Sequence, residues 1–216
     1  MTLDVDVFWS FRSPYSYLAT PRIADMAARY DVNLNTRPVY PLAVRVDGFF
    51  DRQDPRWLMY VVRDVFREAQ RLGMTFGPPQ PDPIVMNIAT REIPKAQPYI
   101  RRLTHLGQAA AERGRGIPFI CEVSRMIWGG ETVGWDQGDH LARATERAGL
   151  DLAELDAVVA AEGERLEADI LKSHARMDEV GHWGVPTFVF QDEPFFGQDR
   201  MDTLLWRLKQ NGLTER

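Results

Sequence analysis

The stretch FRSPYSYLAT, residues 11–20, contains residue types that could hold a reactive sulfur atom at the start of a helix. Ser13 is a favourable N-cap, and Pro14 suits the first helical position. The unpaired N–H groups and partial positive charge of a helix start stabilise a thiolate. Proteins that exchange disulfides place two cysteines there, separated by two residues, but Ser13 and Ser16 occupy these positions here. The stretch therefore has a layout for thiol chemistry without a sulfur atom of its own.

The rest of the sequence supplies neither a second thiol nor a metal-binding pattern. Cys121 is the only cysteine among 216 residues, so no internal disulfide can form. It lies in the apolar run IPFICEV, where we expect a buried small hydrophobe rather than a catalytic thiol. The four histidines show no metal-like spacing with cysteines or carboxylates, and no phosphate-binding glycine motif occurs. The sequence thus predicts neither a redox dithiol nor a metal centre.

Charge and hydropathy argue against nucleic acid and membrane as partners. The chain has 26 basic and 31 acidic residues, a formal net charge of −5, and so no general attraction to a polyanion. MTLDVDVFW lacks the pattern of a signal peptide, and no apolar run approaches the roughly 18 residues that span a bilayer. We expect a cytoplasmic protein that binds a small molecule.

The elements around Ser13 are predicted from periodicity. LDVDVFW alternates between acidic and apolar residues and is typical of a strand. Apolar residues then recur at helical spacing from Pro14 to about Tyr30, and VNLNTRPVY follows as a second strand. This order predicts a βαβ unit with parallel strands.

The C-terminal end has a different pattern. GVPTFVF is predicted as a strand, QDEP as a turn and PFFG as a shorter strand, which together form a hairpin. A helix follows in DRMDTLLWRLKQNG, with Asp199 as its N-cap. The long middle segment reads as helices. We therefore predict an α/β fold, in which a thioredoxin-like domain, residues 1–47 and 181–216, is split by an all-helical insertion, residues 48–180.

Three motifs in this order, SPYSYLA, GVPTFVF and FGQDRMDTL, carry a resemblance over nearly the whole chain. The sequence resembles the DsbA-like superfamily, in particular its branch of 2-hydroxychromene-2-carboxylate isomerases and kappa-class glutathione transferases. In that branch the sulfur comes from bound glutathione. The resemblance therefore implies glutathione as cofactor, with its thiolate stabilised by Ser13.

The resemblance also implies how glutathione is held. Pro186 is expected to be cis and to face Ser13, so that the backbone of Val185 pairs with the extended peptide as a short β-augmentation. Gln198 and Asp199 correspond to the residues that hold the γ-glutamyl group, and Asp199 would pair with its ammonium. For both residues, N-capping is the alternative interpretation.

The chain departs from its relatives at two of these positions. Relatives often have serine or asparagine where this chain has Gln198. They also tend to have a lysine, three residues before the tyrosine that matches Tyr60, where this chain has Trp57. Arg56 is the candidate to replace that lysine as a contact for a carboxylate.

Aromatic residues near these motifs are candidates for lining a substrate site. His182 and Trp183 directly precede the Gly184–Pro186 turn. For His182 we favour a packing or lining role over acid–base catalysis. Trp128 and Trp135 could face an aromatic substrate, although we favour core packing for each of them taken singly. The full set of predicted lining residues is Phe11, Tyr15, Trp128, His182 and Trp183.

The leading hypothesis is a glutathione-dependent isomerase of an aromatic or conjugated oxo-acid. Reversible addition of the thiolate to a conjugated carbon would turn a double bond into a rotatable single bond. A kappa-like glutathione transferase, which releases the conjugate, is the first alternative. A non-catalytic thioredoxin-like protein that binds a peptide or an acidic metabolite beside Pro186 is the second. A homodimer is one assembly that the sequence leaves open.

Overall fold

A four-stranded mixed sheet in the order β2-β1-β3-β4 forms the centre of the fold. The structure is a computed structural model that describes residues 2–87 and 90–216, and for Pro55 it describes the backbone only. Strand β1 is Leu3–Trp9, and it pairs in parallel with β2, Val32–Pro38. Strand β3, Thr187–Phe190, runs antiparallel to β1, and β4, Glu193–Phe196, runs antiparallel to β3.

The long apolar-periodic segments between turn residues form helices as predicted, although the longest one has a kink at Glu162 and the short helix Leu42–Arg45 was not predicted. They are α1 Pro14–Arg29, α2 Leu42–Arg45, α3 Pro55–Arg71, α4 Pro98–Glu112, α5 Gly116–Trp128, α6 His140–Arg147, α7 Leu152–Glu179 and α8 Met201–Gln210, with short 3₁₀ turns at Phe50–Arg52 and Gln198–Arg200.

The predicted architecture is confirmed. The first βαβ unit, the C-terminal hairpin with its helix, and the helices between them all occur in the predicted order. The division at residues 47/48 and 180/181 stays a prediction. Within the described ranges, no helix is both long and apolar enough to cross a bilayer.

The register of the sheet decides which loops meet. Trp9 lies opposite Pro38 in β2, and Phe8 lies opposite Thr187 in β3. At one end of the strands, β1 and β2 therefore finish next to the residue where β3 begins. The Ser13 segment and the Val185–Pro186 turn are brought together by this register.

The two faces of the sheet are covered by different helices. Val5, Val7 and Trp9 point into the main core, which includes Leu18 and Ile23 of α1. On the opposite face, a smaller cluster is formed by Phe8, Val39, Met177 and Val189. This alternation is the period-two pattern of a strand that is buried on both faces.

Helix α1 accommodates a proline in its interior. Pro21 has no N–H to donate to the carbonyl oxygen of Tyr17, four residues earlier. The hydroxyl group of Thr20 donates a hydrogen bond of 2.8 Å to that oxygen instead. The helix can therefore continue through Pro21 to Arg29.

A cluster of polar side chains lies beyond the end of β2. The Tyr40 N–H donates to Nε2 of His174 at 3.0 Å, and its phenol donates to Glu167. Glu167 is also 2.8 Å from Nε2 of His105 and 3.2 Å from Nη1 of Arg101. Helices α4 and α7 are thus joined to the end of the sheet by polar contacts in addition to apolar packing.

We predict that His174 makes folding sensitive to acid. Burial lowers the pKa of His174 from 6.5 to about 4. Between these values the unfolded chain holds a proton on this residue that the folded chain does not, so the free energy of unfolding falls as the pH falls. In His174→Gln this contribution is absent, and the loss from pH 7 to 4 should be smaller by about 1–2 kcal/mol, allowing for partial solvent contact.

Urea unfolding of both proteins at several pH values measures this difference. The introduced glutamine side chain can still accept the Tyr40 N–H, so the substitution tests titration with the hydrogen bond retained. Two curves of unfolding free energy that run parallel from pH 7 to 4 would show that His174 does not titrate as proposed.

Candidate functional site

The site begins where β1 ends and α1 starts. Ser13 is the N-cap of α1, and its Oγ accepts the N–H of Ser16 at 3.1 Å. The same hydroxyl donates a hydrogen bond of 3.2 Å to the carbonyl oxygen of Val185. Ser13 is therefore both a helix cap and the link between this helix and the turn before β3.

The turn opposite Ser13 has the predicted backbone form, since the peptide bond between Val185 and Pro186 is cis. We expected both backbone groups of Val185 to be open to a ligand, and this was wrong for the carbonyl, which already accepts the Ser13 hydroxyl. The Val185 N–H has no acceptor among the described residues. The Gly197 N–H donates to the Pro186 carbonyl at 2.9 Å, which brings residues 197–199 beside the turn.

The start of α1 favours an anion. Ser13 keeps a rotatable hydroxyl, which can turn from Val185 toward a nearby acceptor. The positive end of the α1 helix dipole also stabilises a negative charge near Ser13. Ser16, at the position of a second cysteine, is fully buried, and its Oγ has no hydrogen-bond partner in the described parts of the chain. The arrangement can hold a thiolate but contains no second thiol to oxidise.

Gln198 lies next to this turn, and its side-chain amide is hydrogen-bonded to two other segments of the chain. It is buried, its Oε1 accepts from Arg22 of α1, and its Nε2 donates to Glu68 of α3 at 2.8 Å. Gln198 therefore joins three segments of the chain. Because this amide is buried, it is poorly accessible for direct contact with a ligand.

Asp199 lies at the surface beside the same turn. Its side chain is 57% exposed and pairs with Arg200 at 3.0 Å. The prediction that Asp199 caps the last helix was wrong, because a 3₁₀ turn begins after Gly197 and α8 has Arg200 as its N-cap residue. Gly197 has a φ of 104°, which glycine adopts readily, and this backbone turn starts the helical segment earlier than expected. Asp199 thus keeps its carboxylate accessible.

Arg56 has a partner of its own outside the Ser13 segment. Its side chain is 90% exposed and is held 2.6 Å from Asp54, the N-cap of α3. Trp57, at the position of the lysine in relatives, packs its ring edge-on against Phe49 with 6.0 Å between centroids. The role of Arg56 as a carboxylate contact stays a prediction, without a contact that connects it to Ser13.

Two predicted lining residues belong to the core. Phe11 is fully buried and packs edge-on against Phe119, and its carbonyl accepts the indole N–H of Trp128 at 2.8 Å. Trp128 is also buried and stacks on Phe76. Trp135 is buried as well and donates to the Pro81 carbonyl at 2.7 Å. Neither Phe11 nor Trp128 offers a free surface to a substrate, so the lining role is wrong for both, and the core packing that we favoured for Trp128 is confirmed.

Tyr15 connects the functional helix to α3. Its phenol donates to Oδ2 of Asp64 at 2.6 Å. Burial, with the hydrogen bond to Asp64 as a second cause, raises the pKa of Tyr15 above its usual range. Tyr15 is therefore a neutral donor that fixes the first turn of α1, rather than an acid that releases a proton.

His182 and Trp183 lie beside the Val185–Pro186 turn, as expected. Their rings stack with 5.3 Å between centroids, and Phe196 packs 4.1 Å from the imidazole. Burial lowers the pKa of His182, so the ring is neutral at pH 7. Nδ1 accepts the Gly184 N–H at 3.0 Å, which leaves the proton on Nε2. The ring can therefore donate one hydrogen bond.

Cys121 is only partly buried, whereas we expected full burial. Its Sγ lies 3.7 Å from the Thr20 carbonyl oxygen. Burial raises the pKa of the thiol to about 12, so it is protonated at neutral pH. This supports the interpretation of Cys121 as a packing residue.

A cleft that the sequence analysis did not predict lies among residues 43–44, 46–51, 90–95 and Arg101. Its volume is about 360 Å³. Phe50 lines it and lies 5.6 Å below the guanidinium of Arg12, which is bound to Asp82 by two hydrogen bonds. Arg12 directly precedes Ser13, so the contact between Arg12 and Phe50 links the wall of the cleft to that segment. No sequence signal connected Arg12 with Asp82, since they are 70 residues apart.

The walls of this cleft combine aromatic and charged groups. Phe49 and Phe50 contribute rings, and Arg101 contributes a guanidinium that stands 5.2 Å from the Tyr40 ring. On another side, Arg45 of α2 donates a 2.6 Å hydrogen bond to the Trp183 carbonyl. Helix α2 thus lies between the cleft and the Pro186 turn. The charged lining residues are Asp47, Asp51, Arg91, Glu92, Lys95 and Arg101.

The fold and the site define a thioredoxin-like protein in which serines replace both cysteines of the redox pair. The chain belongs to the DSBA-like thioredoxin domain family, which it matches over residues 4–209. The resemblance inferred from the three sequence motifs is therefore confirmed.

Its relatives include isomerases. The chain is 28% identical over 210 residues to a 2-hydroxychromene-2-carboxylate isomerase of Sphingobium xenophagum, an alignment that covers 94% of this chain and 97% of the relative. It resembles a solved 2-hydroxychromene-2-carboxylate isomerase with a TM-score of 0.65 and 25% identity, over 96% and 95% of the two chains. The cytosolic disulfide reductase DsbM of Pseudomonas aeruginosa, solved with GSH, shares the fold with a TM-score of 0.59 and 19% identity, over 96% and 100% of the chains.

We predict that two adjacent substitutions differ sharply in their effect on stability. Gln198→Ala removes the buried amide that joins the half-buried Arg22 and Glu68 and should lower the free energy of unfolding by about 1–3 kcal/mol. Asp199→Ala removes only an exposed ion pair and should cost less than about 0.5 kcal/mol. Urea unfolding measures both. If Asp199→Ala is at least as destabilising as Gln198→Ala, Asp199 caps the helical segment after all.

Proposed function

We propose that this protein is a glutathione-dependent isomerase that acts on an aromatic or conjugated oxo-acid of the 2-hydroxychromene-2-carboxylate type. The observation that carries the proposal is the Ser13 hydroxyl, placed at the start of α1 and 3.2 Å from the Val185 carbonyl. Such a site stabilises an anion without undergoing oxidation. The isomerase relatives support the reaction class.

The thiol end of glutathione fits the residues around Ser13. The hydroxyl and the helix start favour a thiolate, and the unpaired Val185 N–H is suited to the backbone of an extended peptide. When bound, glutathione would supply the nucleophilic sulfur for reversible addition to a conjugated carbon. Ser13 would donate a hydrogen bond to that sulfur after turning away from the Val185 oxygen.

The other end of glutathione would be held by fewer side chains than the resemblance implies. Asp199 is exposed and can pair with the γ-glutamyl ammonium if it exchanges its partner Arg200. Gln198 would act by shaping the turn, since its amide is committed to Arg22 and Glu68. Arg56 remains a candidate for a carboxylate only if it leaves Asp54.

We place the oxo-acid substrate in the cleft beside Phe50. The rings of Phe49 and Phe50 suit a flat conjugated molecule, and Arg101 suits its carboxylate. Glu167 holds Arg101 at 3.2 Å from behind, so the guanidinium does not have to be ordered by the substrate. His182 and Trp183 lie on the Pro186 side of α2, where they would contact bound glutathione and the part of the substrate that reaches its sulfur, with Nε2 of His182 as a hydrogen-bond donor.

The proposal also includes the cellular compartment. The cytoplasm is the proposed compartment, because reduced glutathione dominates its thiol chemistry.

A kappa-like transferase would use the same thiolate but release the conjugate. The specific support for the isomerase is the name shared by the relative and the solved structure, both of which align over more than nine-tenths of this chain.

We predict that glutathione accelerates isomerisation of a 2-hydroxychromene-2-carboxylate without being consumed. Ser13→Ala should lower the rate at pH 7 by about 10²-fold, the usual effect of losing a hydroxyl donor to an anion. Ser13→Thr should retain most of the rate because it keeps the hydroxyl and the cap. The deficit of Ser13→Ala should shrink as the pH rises, since more thiolate then forms unaided.

Ser16→Ala is the matched control, because it removes a buried hydroxyl from the same helix turn. Substrate absorbance and free-thiol titration, followed together, separate the candidates. Stoichiometric loss of thiol identifies a transferase, and glutathione binding without turnover identifies a binding protein. Equal rates for Ser13→Ala and the parent at pH 7 would reduce Ser13 to a helix cap.

We predict that Arg101→Gln raises the KM for the oxo-acid by about 10- to 100-fold, the equivalent of a hydrogen bond to a charged group. The value of kcat should change little, because the carboxylate does not react. Arg102→Gln is the control, since this neighbour on α4 pairs with Asp156 at 2.7 Å and does not line the cleft. Equal KM values for Arg101→Gln and Arg102→Gln would exclude the cleft as the substrate site.

A further inference from the structure

Arg12 belongs to the turn that directly precedes α1. The Ser13 N–H donates to the Ser10 carbonyl at 3.1 Å, so residues 10–13 form one turn between β1 and α1. Phe11 of this turn is buried in the core, whereas the Arg12 side chain is 25% exposed. Consecutive Cα atoms are only about 3.8 Å apart. The turn therefore places a positive charge within the length of one side chain from Ser13.

The Arg12 guanidinium is held in a fixed position by the protein. Its Nε and Nη2 atoms donate to the two carboxylate oxygens of Asp82 at 3.1 and 3.0 Å, and the Phe50 ring centre lies 5.6 Å from its central carbon. Oδ1 of Asp82 also accepts the Ile84 N–H at 3.0 Å, which orients the carboxylate. Because the guanidinium already has ordered partners, it loses little conformational entropy when it binds an anion.

The loop that carries Asp82 is anchored as well. The Trp135 indole donates to the Pro81 carbonyl at 2.7 Å, and the Gly134 N–H donates to the Gln80 carbonyl at 2.8 Å. Both donors come from the segment between α5 and α6. Asp82 therefore offers Arg12 a fixed partner on a loop that is tied to the helices.

Asp82 does not use all the donors of Arg12. The two bonds to Asp82 occupy the edge of the guanidinium that carries Nε. A guanidinium has a second donor edge, formed by Nη1 and Nη2. In the described part of the chain, Nη1 of Arg12 has no hydrogen-bond partner. This second edge matches the two oxygens of a carboxylate, so Arg12 can bind another carboxylate while Asp82 holds it.

Two other arginines are less suited to this role. Arg22 is engaged by the buried amide of Gln198, and Arg56 is 90% exposed and bound to Asp54 on α3. Arg12 differs from both because it lies next to the helix cap and keeps a free donor edge. The charge matters because the chain as a whole has a net charge of −5, which repels anions.

We propose that Arg12 binds a carboxylate of the molecule held beside Ser13, with Asp82 and Phe50 as positioning residues. Glutathione has a glycyl carboxylate a few bonds from its sulfur, and a conjugated oxo-acid has a carboxylate of its own, so the same contact has two candidate sources. The inference rests on the proposed function, because that function supplies the carboxylate ligand. It assigns a specificity-determining contact to the residue beside the helix cap.

Isothermal titration calorimetry with reduced glutathione and with its glycyl ethyl ester tests the first source. Arg12→Gln should raise the Kd for glutathione by about 10- to 100-fold, the effect of losing a hydrogen bond to a charged group. The parent should bind the ester as weakly as Arg12→Gln binds glutathione. Arg102→Gln is the matched control, because Arg102 pairs with Asp156 through the same two atoms, Nε and Nη2, at 3.1 and 2.7 Å. It should bind glutathione like the parent.

The isomerisation assay tests the second source. If the partner is the oxo-acid, Arg12→Gln should leave the Kd for glutathione unchanged and raise the KM for the oxo-acid by about 10- to 100-fold. The value of kcat should change little, because the carboxylate does not react. Either result supports the contact and identifies which molecule provides the carboxylate.

Asp82→Asn separates direct binding from support of the turn. It breaks the same ion pair but keeps the guanidinium, so it should weaken binding clearly less than Arg12→Gln. Circular dichroism and urea unfolding check that each variant is folded. Arg12→Lys, which keeps the charge but lacks the planar donor edge, should also bind more weakly, and it carries the comparison if Arg12→Gln does not fold.

Two outcomes overturn the inference and leave the proposed function intact. One is a Kd and a KM equal to those of the parent in a folded Arg12→Gln or, if that variant does not fold, in Arg12→Lys. The other is an equal loss of binding in Asp82→Asn and Arg12→Gln, which would reduce the ion pair to a support of the turn. A parent chain that binds neither glutathione nor the oxo-acid overturns both the inference and the proposed function.

Discussion

The hydrogen bond between Ser13 and Val185 is the contact on which the functional part of the structure depends. It joins the end of β1 to the beginning of β3 across 172 residues of sequence. The same hydroxyl caps α1 by accepting the Ser16 N–H. A single oxygen atom thus fixes the start of a helix, whose dipole attracts an anion, against the cis Val185–Pro186 turn. Neither segment alone has the geometry of a site.

Helices α2 and α3 hold this junction in place through separate contacts. Helix α3 reaches α1 through Asp64 and Tyr15, and it reaches the turn after β4 through Glu68 and Gln198. On the other side, α2 reaches the turn before β3 through Arg45. Each of these contacts is a hydrogen bond to a charged group, and such bonds are stronger and more directional than neutral ones. Both helices therefore support the site, and α2 also contributes to the wall of the cleft.

Sequence patterns predicted the sheet and the helices well, because periodicity and turn residues act locally. The contacts of individual side chains could be predicted less well from the sequence. The amide of Gln198 is bound to Glu68, 130 residues away, and nothing in FGQDR indicates this partner. The cap of α8 was misassigned because the backbone of Gly197, with φ of 104°, starts the helical segment before Asp199. Phe11 was expected to line the substrate site, but its ring is buried in the core.

The replacement of both cysteines by serines changes what the helix field can do. A cysteine at position 13 would use the field to become a better leaving or attacking group in disulfide exchange. A serine hydroxyl has too high a pKa to ionise there, so it remains a neutral hydrogen-bond donor and cap. The field is then available to an anion from outside the chain. Because Ser16 is buried and Cys121 is protonated at neutral pH, no group in this part of the chain can compete with that anion or trap it in a disulfide. This arrangement favours a reaction in which the thiolate of a bound molecule adds to the substrate and is then released unchanged, without being oxidised.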